Sequence, residues 1–111
     1  MSRAYIILTL LLAASLEAGG DAIIRTGMHS HQAWRRALLF GAATIILFLY
    51  GWTVNSPPWD FGKLLGLYVV FFVVIAQLIS WLVFKETPSA MVLAGGTLII
   101  AGGIVISLAK A

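Results

Sequence analysis

The chain has no cysteine and little charge: four acidic and seven basic residues in 111, with 10% of positions charged against 61% hydrophobic. The first absence excludes a disulfide framework and thiol chemistry, and leaves the redox compartment unread. The second excludes an ordinary soluble domain, in which about 25% of residues are charged. A mean hydropathy of +1.03 points the same way, to an integral membrane protein. Other shortages narrow the function. No nucleophile sits beside a base and no glycine-rich phosphate loop is present, so the chain is not expected to be an enzyme. His29 and His31 form a His-x-His pair without a third ligand, so neither a metal nor another cofactor is expected. Trp34, Arg35 and Arg36 read as an interfacial anchor with a basic flank, which leaves no nucleic-acid surface.

What is present is apolar sequence in four runs, residues 4–24, 37–53, 64–84 and 91–109. Each is close to the ~20 residues that cross a ~30 Å hydrocarbon core as a helix. The second run is the shortest, with Tyr50 and Trp52 as interfacial anchors. A signal-peptide reading of the first run fails, because apolar character resumes after Glu17 and no soluble domain follows for export. Short polar breaks at 26–36, 54–63 and 85–89 predict antiparallel neighbours. The fold class is therefore all-α, a single four-helix up-down transmembrane bundle of the multi-pass kind, placed in the cell's inner or plasma membrane. In the last break Thr87 is placed to cap the fourth helix, with Pro88 at its first position.

Basic residues divide almost evenly between the two ends: Arg3, Lys63 and Lys110 against Arg25, Arg35, Arg36 and Lys85. The positive-inside rule then leaves both orientations open, with the small excess favouring an outside N-terminus. Insertion both ways would permit an antiparallel homodimer; a single orientation would give a parallel one.

Glu17 is the residue of greatest functional interest, since a carboxylate inside a span is costly and marks a site facing a bundle interior or a wet cavity. It lies about two turns, on the order of 10 Å, inside the end of the first run. Asp21 and Arg25 follow it at intervals of four on the same face. Asp21, near the helix end, is expected to pair with Arg25 or reach the headgroups. The Glu17 carboxyl group can bind either a proton or a cation but not both at once, the minimal mechanism of a proton-coupled cation exporter. The competing reading is a permanently protonated interhelical hydrogen bonder, a role a glutamine would fill without the ionisation cost. Gly19 and Gly20 let a ligand or another helix approach closely, and Gln77 should face the bundle and find a partner. On the fourth helix Gly95 and Gly102, like Gly96 and Gly103, are seven apart and return to nearly one face, a groove suited to a second helix within the monomer or from another copy.

Four spans in about a hundred residues, a lone membrane glutamate in the first, and the pattern Glu17, Gly20, Arg25 resemble the small multidrug resistance (SMR) transporters. Ser80 and Trp81 closing the third helix, and Gly95, Leu98, Ile99, Ala101 and Gly102 on the fourth, look like that family's third-helix end and dimerisation stripe. The third helix departs from the pattern, with no glycine after Gly66, and Tyr68 stands where a pocket tryptophan is expected. That places the chain in a distant branch; Gly62, Lys63 and Tyr68 are similar to the YnfA-like one. The resemblance implies a proton-coupled exporter of small organic cations, of the drug, quaternary ammonium or guanidinium-like kind, working in the bilayer as a homodimer by alternating access. Glu17, Tyr68, Gly20 and Asp21 would form its proton and substrate site, and Gly95, Leu98, Ile99 and Gly102 its dimer interface. The alternative is a non-transporting accessory or assembly protein with a structural Glu17.

Overall fold

The computed structural model describes residues 2–109, so Lys110 of the charge comparison lies outside the described residues. Four helices make up almost all of it: α1 (Arg3–Met28), α2 (Ala33–Val54), α3 (Phe61–Leu82) and α4 (Ala90–Ser107). All four are long and apolar enough to cross a membrane, and among the described residues there is no strand. This is a multi-pass all-α membrane protein.

Helix ends differ from the apolar runs for local reasons. Ser2 caps α1 by accepting from the Tyr5 amide at 3.2 Å. At the other end α1 runs four residues past Ile24, because Arg25 to Met28 stay helical although they are no longer uniformly apolar. The His29 ring closes that end, its Nδ1 donating to the Arg25 carbonyl at 2.8 Å. The α4 cap is Ser89, whose hydroxyl accepts from the Val92 amide at 3.2 Å. Thr87 does not serve, because the helix starts at Ala90 and leaves Thr87 and Pro88 in the connection before it.

Glycine contacts give the register. A methyl added to Gly20 would lie 2.7 Å from Leu47, and one added to Gly27 would lie 2.8 Å from Phe40. Rising numbers on α1 thus meet falling numbers on α2, and the two helices are antiparallel. Gly66 against Ile106 and Gly103 against Val70 establish the same relation for α3 and α4. Between the hairpins the sense is parallel, since Tyr68 reaches Ala13 and Glu17 while Glu86, just beyond α3, reaches Arg25.

The helices succeed one another in space as α2, α1, α3, α4, with α1 packed on both α2 and α3, and α4 making its extended contact with α3. Small residues of α1, Ala13, Ala14, Ala18, Gly20 and Gly27, are buried and permit the close approach that supplies most attraction between helices in lipid. The main apolar cluster joins Ile6, Leu10, Ala13 and Ala14 of α1 to Val54, Leu64 and Tyr68. On α4 only Gly103 is buried, so most of that helix's apolar surface is left open.

Candidate functional site

Because α1 continues to Met28, Glu17 lies near the middle of its helix, deeper than its distance from the end of the apolar run indicates. Its partner comes from α3. The Tyr68 hydroxyl donates to Glu17 Oε1 at 2.7 Å, and makes a longer 3.4 Å approach to the Ala13 carbonyl. Tyr68 is 4% exposed, a core residue and not an interfacial anchor. Its ring is flanked by two others, Tyr50 at 5.6 Å and Phe72 at 6.2 Å between centroids, both tilted and within the separations at which aromatic pairs attract. Tyr50 therefore turns inward, half-buried, while Trp52 projects outward at 73% exposure.

A phenol hydroxyl donates a hydrogen bond but brings no positive charge. Among the described residues the ion pair is formed elsewhere: Arg25 Nη2 to Glu86 Oε2 at 3.2 Å. This corrects the expected Asp21–Arg25 pairing. Arg25 turns towards the α3–α4 connection, where Lys85 adopts a left-handed backbone (φ 59°) and folds Glu86 back so that its amide reaches the Ser80 carbonyl at 3.0 Å. The Ser80 hydroxyl donates to Glu86 Oε1 at 3.2 Å, and the Arg25 guanidinium lies 5.0 Å from the centre of the Phe84 ring.

The structure therefore brings Glu17 and Tyr68 together and sets Asp21 one turn away, on the wall of a cavity of about 160 Å³ that also involves Ala18, Phe72 and Ala76. Gly20 faces Leu47 and Ile46 of α2, so its missing side chain serves helix packing there. The four α4 residues lie apart from this site. Gly95 and Gly102 adjoin open space, Leu98 is 75% exposed and Ile99 is also exposed. Of the paired glycines, Gly103 is the one that packs on α3, next to Val70 and the Gly66 carbonyl. Gln77 is half-buried, and its side chain makes no hydrogen bond with another described residue. Sequence reasoning missed Phe72, Phe84 and Glu86 as neighbours of the site. Phe72 was findable, one turn beyond Tyr68 on the same face; the other two depend on the fold of the α3–α4 connection.

Two relatives span nearly the whole chain. A UPF0060 membrane protein of Rhodococcus erythropolis is 32% identical over 113 residues, covering 99% of this chain and 100% of its own length. A UPF0060 membrane protein of Clostridium beijerinckii is 32% identical over 106 residues, covering 93% of this chain and 92% of its own. No protein-family model and no solved structure matches the chain.

Proposed function

The chain belongs to the UPF0060 membrane protein family, and from that premise we propose that it is a proton-coupled exporter of small organic cations, working as a homodimer by alternating access. One observation carries the reading: the mid-helix carboxyl group of Glu17 is held by a neutral donor, Tyr68, and by no cationic side chain of the described residues. A carboxylate within a span needs compensation. Here compensation is left to something that comes and goes, a proton or a cation. Binding the cation releases the proton, and rebinding the proton frees the cation. An inward proton gradient would then drive cations out.

The resemblance to the SMR transporters supports the same reading, with Glu17 and Tyr68 as the shared site and Asp21 on the approach to it. Gly20 acts there through its contact with α2. A single copy sets its four helices in a row, with α4 in extended contact with α3 alone, and does not wrap a pathway, which favours two copies. The open α4 surface around Gly95, Leu98, Ile99 and Gly102 is the face we assign to the second copy.

The test is proton release from detergent-solubilised protein on addition of organic cations across a pH series, comparing the parent with Glu17→Gln. Release from the parent that vanishes in a folded Glu17→Gln variant is the expected result. Release that persists in the variant sinks the role of Glu17, and none from the parent with any cation tried turns the reading towards an accessory or assembly protein.

A further inference from the structure

Two cavities flank the end of the α1–α3 cleft. The inner one, about 160 Å³, touches Ala18, Asp21, Phe72 and Ala76 and lies beside the Glu17–Tyr68 pair, since Ala18 adjoins Glu17 in sequence and Phe72 packs its ring on Tyr68. The outer one, about 420 Å³, touches Thr26, His29, Ser30 and Arg35 at the helix ends. Arg25, Phe84 and Glu86 line both. These three side chains are therefore a shared wall, and they are joined to each other: guanidinium to carboxylate at 3.2 Å, guanidinium to ring centre at 5.0 Å.

We propose that this wall is a gate. The Arg25–Glu86 pair closes the cleft at the end of the molecule that carries the α3–α4 connection, and its separation joins the outer cavity to the inner one. The inference rests on the reading of Glu17 as the transport site, to which this cleft gives access. Three features suit the wall to opening. The two side chains are 55% and 50% exposed, so water competes for the pair and its hold is weak. Arg25 extends from a continuous helix, while Glu86 extends from a connection, so one partner is fixed and the other can swing. Lys85 holds a left-handed backbone that a side chain rarely adopts, so the turn aiming Glu86 at Arg25 is kept at a conformational cost.

The absence of native cysteine makes a direct test simple. A single thiol introduced by Ala76→Cys reports on the inner cavity, and one introduced by Ser30→Cys reports on the outer. Each is labelled with N-ethylmaleimide, a neutral reagent, in the parent background and with Arg25→Gln, with Glu86→Gln, and with the charge reversal Arg25→Glu/Glu86→Arg. Both single neutralisations are expected to speed inner labelling by about 1.4- to fivefold, the range a half-exposed ion pair can impose on a two-state equilibrium. Outer labelling should change little, and charge reversal should bring the inner rate back towards the parent value. Local charge alone gives a different pattern. Losing a cation and losing an anion act on thiol ionisation in opposite senses, so a gate is the reading in which both losses speed labelling.

Inner rates that move in opposite directions, that stay at the parent value, or that remain fast after charge reversal overturn the proposal. If one neutralised variant does not fold, the other with the reversal decides. Labelling needs no transport, so these results stand apart from proton release. Gate-like labelling without cation-driven release unseats the role of Glu17 and leaves the partition.

Discussion

Replacing Gly103 with alanine tests how α4 is attached. A methyl there would overlap a Val70 methyl and come within 3.2 Å of the Gly66 carbonyl oxygen. Neither neighbour yields easily: Val70 is β-branched and largely confined to one rotamer in a helix, and the carbonyl is backbone. Overpacking of this kind costs about 1–3 kcal/mol, and the upper half of that range is appropriate here. Against it, exchanging glycine for alanine within a helix gains about 0.8–1.0 kcal/mol. The expected net effect is a loss of about 1–2 kcal/mol. Gly102→Ala is the control one residue away, because its added methyl meets open space and keeps only the gain. The two alanine variants should therefore differ by about 2–3 kcal/mol. The assay is helicity by circular dichroism as sodium dodecyl sulfate is titrated into mixed micelles. Adding Val70→Ala to Gly103→Ala should recover part of the loss by vacating the space the methyl needs. Equal midpoints for Gly103→Ala and Gly102→Ala would refute the close approach of α4 to α3 and the register derived from it.

Two further outcomes follow from the site and the outer face. Tyr68→Phe should lower stability by about 0.6 kcal/mol and by no more than about 1.7 kcal/mol, the mean and maximum for hydrogen bonds between membrane helices; in a double-mutant cycle with Glu17→Ala, which removes the acceptor, the two losses should not add, and strict additivity would mean that the 2.7 Å contact contributes nothing. A thiol introduced by Leu98→Cys, near the middle of α4, should crosslink two copies in the membrane in either a parallel or an antiparallel dimer, whereas one introduced by Val105→Cys, towards its end, should do so only in a parallel one. No crosslink from either would remove α4 as the dimer face.

The number, order and approximate extent of the helices were legible, because a span writes itself as a run of apolar residues whatever it packs against. Hydropathy marks the bilayer and not the hydrogen-bond ladder, so it stopped at Ile24 while the helix ran on to Met28. For the same reason it placed Glu17 too near an end. Thr87 was chosen as a cap by residue type and by the proline after it, yet Ser89 has the same capping chemistry two residues on, and the helix starts there. Tyr68 could be named as a site residue by resemblance, but only the parallel placing of α1 and α3 makes it the donor to Glu17 across 51 residues of chain. Arg25 illustrates the converse. Its neighbour at helical spacing, Asp21, was the natural partner by proximity, and it lost to a residue 61 positions away that a left-handed Lys85 delivers.

The distance along the chain between Glu17 and its donor has a consequence for synthesis. At about 5–20 residues per second, the ribosome needs about 3–10 seconds to go from the carboxyl group to the phenol that serves it. During that interval α1 and α2 can already meet, because the contacts at Gly20 and Gly27 lie wholly within the first hairpin. The first half is thus assembled around an acidic group still without its partner, and the arrival of α3 completes the site and joins the two hairpins in the same event.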